Sequence, residues 1–263
     1  MNTPMSSSNV ESECLIVYSL IHILALASLF VVSGSVFDVR AGDIWNDKNY
    51  KDWTAEDVYK IKYESPWTKK LAKDAPWLKG RASYLSILPT GCDGRPDLSH
   101  ANQNSPEMAM GSAIAVVEYR IDWMSSRTMR SAKMRESVLC GTLNQESADE
   151  FLEQETDQYQ IDVKSADMMP FESMDDEAIR KNTWLIFKKS QMKINPADVG
   201  LLRSRGQKRI ISMTFKFNKK AEDGTAYLSP DEKEIEFDMQ ADKFMLKAKF
   251  QPAKMMAKDG PDL

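Results

Sequence analysis

Hydrophobic and polar residues alternate in the middle of the chain and then change to a helical spacing. From Ala113 to Trp123 every second residue is apolar, and the intervening residues in the second half of this stretch are charged. This period of two predicts a strand with one buried face. Beyond Trp123 the spacing is helical up to Leu139, just before Gly141, a residue able to end a helix. We therefore predict a half-buried strand that leads directly into a helix.

The same alternation predicts further strands, and it is clearest in the last third of the chain. There, Ile211, Met213, Phe215 and Phe217 alternate with polar residues. Short helices with polar outer faces are predicted at Gln145–Gln154 and Asp175–Lys181. The other predicted strands are Tyr159–Val163, Thr183–Lys188, Ile235–Met239 and Phe244–Phe250.

The last two predicted strands should form a hairpin, because only Gln240–Lys243 separates them. Pairing Met239 with Phe244 places apolar residues opposite each other on one face. It also places Glu236 opposite Lys247 on the other face, which we expect to be exposed. An exposed ion pair contributes about 0–1 kcal/mol, so Glu236→Ala should hardly change stability.

The stretch between Asp43 and Gly80 is polar and rich in tryptophan, and it predicts a helical arm. Thr54 and Asp57 have the spacing of a capping box. Ser65-Pro66-Trp67 has the composition of a second helix start. We expect the tryptophans to anchor this arm to the body of the protein; the alternative is an exposed aromatic surface for a ligand.

Together these elements predict an α+β fold with a mostly antiparallel sheet, a crossing helix after Trp123 and a helical N-terminal arm. The predicted boundaries are residues 1–41 for a signal peptide or membrane anchor, 42–82 for the arm and 83–263 for the α+β domain.

The segment Leu15–Val32 is apolar, and it is followed by the small-residue sequence Val39-Arg40-Ala41. This order predicts a cleaved signal peptide and hence a periplasmic or secreted protein. The same segment is long enough to cross a bilayer, so an uncleaved anchor is the alternative.

Cys92 and Cys140 remain once the predicted signal peptide, which contains Cys14, has been removed. In an oxidising compartment an even pair of cysteines predicts one disulfide. The alternative is two unpaired thiols, one exposed in a loop and one buried.

Composition excludes several kinds of chemistry. The net charge is −4, which does not favour nucleic acid as a partner. No glycine-rich phosphate loop and no carboxylate cluster of the calcium-binding kind is present, so neither a cofactor nor a metal is predicted. His100 is the only histidine after the predicted signal peptide, and no nucleophile motif accompanies it. Catalysis would require His100 together with a Ser, Asp or Cys from another loop.

The candidate binding residues are Trp123, Arg127 and Arg130, which lie near each other where the predicted strand becomes a helix. Two guanidinium groups beside an indole ring could bind an anion. In the alternative interpretation the arginine stems cover the edge of the core while their charged ends stay in water.

Three segments carry a family resemblance: DWTAEDVYKIKYESPWTKK at Asp52–Lys70, YRIDWMSSRTMRSAKMR at Tyr119–Arg135, and the closing KFQPAKMMAKDGPDL. They resemble a family of uncharacterised exported proteins found in acidobacteria. The resemblance implies export; it implies no particular activity and no catalytic residues.

We therefore expect an exported envelope protein that acts as a non-catalytic binding or interaction module, with an envelope ligand or partner that the sequence does not identify. It should contact the membrane only if the N-terminal segment remains uncleaved. The alternatives are a hydrolase that relies on His100 and a membrane-anchored structural protein.

Overall fold

A computed structural model describes residues 43–78, 84–97, 115–204, 209–258 and 260–263. The apolar segment Leu15–Val32, its predicted cleavage site and His100 lie outside these residues. The stretch Ile44–Leu263 forms one compact unit. Among the described residues, no helix combines the length and the apolar character needed to cross a membrane.

The described elements are short and joined mostly by turns. The helices are α1 (Ile44–Asp47), α2 (Ala55–Glu64), α3 (Arg127–Leu139), α4 (Gln145–Glu153) and α5 (Asp176–Lys181). The strands are β1 (Thr68–Asp74), β2 (Tyr84–Leu85), β3 (Val116–Trp123), β4 (Gln158–Ser165), β5 (Thr183–Phe187), β6 (Met192–Ile194), β7 (Asp198–Arg203), β8 (Ile210–Asn218), β9 (Ile235–Ala241), β10 (Phe244–Phe250), β11 (Met256–Ala257) and β12 (Gly260–Pro261).

These strands form two main sheets, and the α+β prediction is confirmed. The first sheet has the order β1-β3-β4-β8-β7, with β2 also beside β3, and the second has the order β10-β9-β5-β6. Among the described strands, β2 and β3 are the one parallel pair; the others are antiparallel. The alternation did not indicate that the strands divide between two sheets.

Aromatic side chains fill the space between the two sheets. The ring centroids of Trp123 and Phe250 are 5.1 Å apart, and those of Phe215 and Phe237 are 5.5 Å apart. Each pair joins one strand of the first sheet to one strand of the second. The inner faces of the two sheets therefore build a single hydrophobic core.

Helix α2 packs over β3 on the outer face of the first sheet, and α3 packs against α2. Tyr63 of α2 lies on Arg120 of β3, with the guanidinium carbon 4.4 Å from the ring centroid. Glu118, Arg120 and Asp122 all lie on this outer face, and all are buried. The prediction of a half-buried β3 is therefore wrong in one respect, because the charged face is covered by other parts of the chain rather than by water.

In the N-terminal stretch one of the two predicted helices is confirmed, and the prediction of the other is wrong. Thr54 and Asp57 form the predicted capping box at the start of α2. Ser65, however, ends α2, and β1 follows it in place of a second helix. All seven residues of β1 pair with β3, and these interstrand hydrogen bonds override the helical preference of the Ser-Pro-Trp start.

The predicted hairpin of β9 and β10 exists with the expected faces, but its register differs by two residues. Phe244 pairs with Ala241 rather than with Met239. Strand β9 is longer than predicted, and the turn is reduced to Asp242 and Lys243, with Asp242 at a φ of 51°. A shift of two residues keeps every side chain on its predicted face, so alternation alone could not distinguish the two registers.

Candidate functional site

A cavity of about 520 Å³ lies on the outer face of the first sheet. The sheet forms its floor, the C-terminal parts of α2 and α3 form one wall, and the loop around Cys92 forms another. The cavity has the size of a small-molecule site.

The floor is a single row of residues that crosses four strands. Arg120 of β3 pairs with Lys164 of β4, Lys164 pairs with Ser212 of β8, and Ser212 pairs with Leu202 of β7. All four side chains line the cavity. The row changes from two cations, through a hydroxyl group, to an apolar side chain.

A β-bulge adds a second apolar side chain at the Leu202 end of the row. Leu202 pairs with Ser212 and Arg203 with Ile210, so Ile211 is an additional residue on β8. Ile210 is buried, whereas Ile211 is 46% exposed and lines the cavity. The expected alternation of Ile211 with Met213, Phe215 and Phe217 is therefore broken at Ile211, because the bulge turns it to the outer face.

Arg120 is the most buried charged group of the cavity, with 5% of its surface exposed. Its Nε donates to Asp122 Oδ2 over 2.9 Å, and its Nη1 has no hydrogen-bond partner among the described residues. Burial works to lower the pKa of Arg120, but the attraction of Asp122 and contacts with Tyr63 outweigh it and raise the pKa. The guanidinium is therefore charged, with one donor group unused.

The other cations of the cavity lie near carboxylates. Lys62 Nζ donates to both oxygens of Glu136, over 2.5 and 2.6 Å. Lys164 Nζ lies 3.8 Å from Asp122 and 3.7 Å from Asp162, distances at which it forms ion pairs but no hydrogen bonds. The cavity therefore combines cationic donors with little excess positive charge.

The loop wall is fastened to the helix by the predicted disulfide. Cys92 is bonded to Cys140, the residue after α3, with Cα atoms 5.1 Å apart. Within the loop, Thr90 and Pro96 form an isolated antiparallel β-bridge. In addition, Asp97 N donates a hydrogen bond to Pro89 O. The bond holds this compact turn against the C-terminal end of α3, where both cysteines line the cavity.

The structure places the three residues proposed from the sequence in different surroundings. Trp123 is fully buried in the core. Arg130 Nη2 donates to Phe151 O over 2.6 Å, and the Arg127 side chain is exposed. An anion does lie at the start of α3, but it belongs to the chain: the Asp262 carboxylate accepts from Arg127 N and Thr128 N, over 2.5 and 2.8 Å.

Within the described ranges, no group of three or more His, Cys, Asp or Glu residues is arranged to hold a metal ion. His100, on which the hydrolase alternative depends, is not among these residues.

Sequence reasoning missed Arg120 because it placed this residue on the solvent side of β3. A signal was nevertheless present. Arg120 stands between Glu118 and Asp122 on one face of a strand, so three charged side chains share that face. The pattern could not show which helices would cover that face.

Comparisons of the chain with protein-family models, with curated proteins and with solved structures find no match. The fold and the cavity alone therefore define the class: a two-sheet α+β protein with a mixed cationic and apolar cavity on a helix-covered face.

Proposed function

We propose that this protein is an exported, non-catalytic binding module that holds a small acidic ligand in the cavity above Arg120. The observation that carries the proposal is Arg120, a buried residue that lines the cavity and whose Nη1 has no hydrogen-bond partner in the described part of the chain.

A buried donor without an acceptor destabilises the folded protein. Leaving such a group unsatisfied costs about 1–3 kcal/mol, and more for a charged group. Guanidinium carries five N–H donors, and Asp122 engages the one on Nε. A ligand carboxylate would accept from Nη1, and such charge-assisted hydrogen bonds are stronger than neutral ones.

Two of the hydroxyl groups that line the cavity, those of Ser165 and Ser137, favour binding over catalysis. Ser165 Oγ donates to Glu118 O over 2.8 Å, and Ser137 Oγ donates to Lys133 O over 3.2 Å. A nucleophilic serine instead needs its proton directed to a base. Both hydroxyls are directed to backbone carbonyl oxygens, which do not act as bases.

Export is supported by the disulfide, because such bonds persist mainly in oxidising compartments. It is also supported by the order of the N-terminal sequence, an apolar segment followed by a small-residue site. Mass spectrometry of the mature protein should find an N-terminus near Ala41. An intact Met1 would contradict cleavage.

Ligand binding can be tested by isothermal titration calorimetry with short monocarboxylates such as butyrate. Arg120→Met should weaken binding roughly tenfold to a hundredfold, the effect of one or two charge-assisted hydrogen bonds. Arg127→Met is the matched control, since the Arg127 side chain is exposed and lies outside the lining of the cavity; it should bind like the unmodified protein.

Removing Arg120 alone leaves Asp122 buried without its main cation, which could unfold the chain. The double variant Arg120→Met, Asp122→Asn avoids this, because it removes the buried negative charge together with its main cation. A folded double variant that bound butyrate as well as the unmodified protein would refute the proposed site.

A further inference from the structure

The row of residues on the cavity floor has different chemistry at its two ends. Arg120 and Lys164 supply cationic donors at one end. Leu202 and Ile211, at the other end, are 58% and 46% exposed although both are large and apolar. Apolar side chains concentrated beside a polar cavity are typical of a binding surface.

The cavity also has apolar residues in its loop wall. Ile87 and Leu88 precede the disulfide-linked turn, are half-buried, and line the same cavity as Leu202 and Ile211. Apolar side chains therefore come from both the sheet and the loop, which allows a chain to be covered on two sides. Covering it would remove the exposed apolar surface from water.

The length of the row indicates what size of ligand would use both ends. Arg120 and Leu202 are separated by three strand spacings. At about 4.8 Å each, these spacings give roughly 14 Å, which corresponds to a medium-length alkyl chain with its head group. A short acid such as butyrate would reach only the cationic end.

The charges favour a head group with a single negative charge. Each cation of the cavity lies within ion-pair distance of a carboxylate. Lys62 pairs with Glu136, and Arg120 pairs with Asp122. Lys164 lies near both Asp122 and Asp162. Three carboxylates match three cations, so the formal charges balance, and a doubly charged phosphate would meet more repulsion than a singly charged carboxylate.

We propose that the ligand is an amphipathic carboxylate of medium chain length. Its carboxylate would lie at Arg120 and Lys164, and its apolar chain would extend over Ser212 to Leu202 and Ile211. This assignment deepens the proposed function and rests on it.

The test uses the mature protein and titrates it with butyrate, octanoate and decanoate, each below its micelle concentration. Affinity should rise by about fourfold for each added methylene that becomes buried. Decanol and decyltrimethylammonium have the same chain without the negative charge, and both should bind at least tenfold more weakly than decanoate.

Two variants separate the ends of the site. Leu202→Ser with Ile211→Ser should abolish most of the gain in affinity from butyrate to decanoate. Arg120→Met should weaken binding of every acid. Met245→Ser is the matched control, because Met245 is a similarly exposed apolar residue on β10, outside the cavity.

The outcomes distinguish this inference from the function on which it rests. Equal affinities for butyrate and decanoate, with loss on Arg120→Met, would overturn the amphipathic ligand and leave the acid site standing. If Arg120→Met bound decanoate as tightly as the unmodified protein does, the acid site would be overturned. Tighter binding of decyl phosphate than of decanoate would overturn the carboxylate, and no binding of any probe would overturn both proposals.

Discussion

Asp57 serves as both a helix cap and an ion-pair partner through one buried carboxylate. Its Oδ2 accepts from Thr54 N over 3.0 Å and lies 2.9 Å from Lys48 Nζ. Burial works to raise the pKa of Asp57, but the hydrogen bonds from Thr54 and the charge of Lys48 outweigh it, so the pKa lies below its usual value. The folded state therefore binds this proton more weakly than the unfolded state does.

Asp57→Asn should destabilise the protein by about 1–2 kcal/mol at neutral pH, because the ion pair and part of the cap are lost. The stabilisation from a carboxylate with a lowered pKa is complete above its unfolded value, about 3.9, and disappears as the pH falls through the folded value. Urea melts at several pH values should therefore show that the free energies of unfolding of Asp57→Asn and the unmodified protein become equal in acid. Glu153→Gln, at an exposed position in α4, is the control and should have little effect at any pH.

At the scale of elements, the hairpin of β9 and β10 changes one expectation from the sequence. Glu236 was expected to be exposed, but it is 6% exposed, with Lys188 Nζ at 3.0 Å and Lys247 Nζ at 3.7 Å. The charges of these lysines outweigh the burial of Glu236 and lower its pKa. The expectation that Glu236→Ala is harmless no longer holds.

Phe237→Ala should still be the more damaging change in this hairpin, because Phe237 is fully buried between the sheets. Truncating a core phenylalanine costs roughly 3–5 kcal/mol, through lost burial and the cavity that remains. Glu236→Ala should cost about 1–2 kcal/mol, since its lysine partners can turn to water. Denaturant melts would measure the free energy of unfolding that each variant loses. A larger loss from Glu236→Ala than from Phe237→Ala would contradict this account of the core.

The C-terminal residues fasten the start of α3. Asp262 accepts two backbone N–H groups of the first turn, and its carbonyl oxygen accepts from Trp67 Nε1 over 2.6 Å. Asp262→Ala should destabilise the protein by about 1–2 kcal/mol, the usual cost of losing a helix cap. Asp262→Asn retains an acceptor, so its melting temperature should lie between those of Asp262→Ala and the unmodified protein. Equal stability of all three proteins would show that the contact contributes nothing.

At the scale of the whole molecule, the disulfide closes a loop with a sequence separation of 48 residues. By the loop-entropy relation this length corresponds to about 4 kcal/mol of stabilisation. Cys92→Ser with Cys140→Ser should lower the free energy of unfolding by a similar amount. Reductant should destabilise the unmodified protein and leave the double variant unaffected; an effect of reductant on both would point to another cause.

Local patterns predicted most individual elements of the described chain. Strand β3, helix α3, the capping box of α2 and the hairpin partners β9 and β10 were all read from spacing or cap residues. Strand β7 was missed because it is an edge strand with Gly200 in the middle, which weakens the apolar alternation. Strand β1 was missed because a proline-containing helix signal precedes it.

The candidate site was not predictable in the same way, because its parts are distant in sequence. Arg120, Lys164, Ser212 and Leu202 become neighbours only through three strand pairings. One of those pairings contains the bulge that turns Ile211 outward, and a one-residue change there would reverse its face.

The sequence by itself determined what depends on neighbouring residues: the period of each element, the caps, and a disulfide that the cysteine count made reasonable. The tertiary structure decided what depends on contacts between distant residues: the two sheets, the hairpin register, and the packing of α2 over the charged face of β3. The physical reason is that backbone propensity and side-chain alternation act over a few residues. Burial of Arg120 instead depends on which element packs above it, and that choice is made by the whole chain.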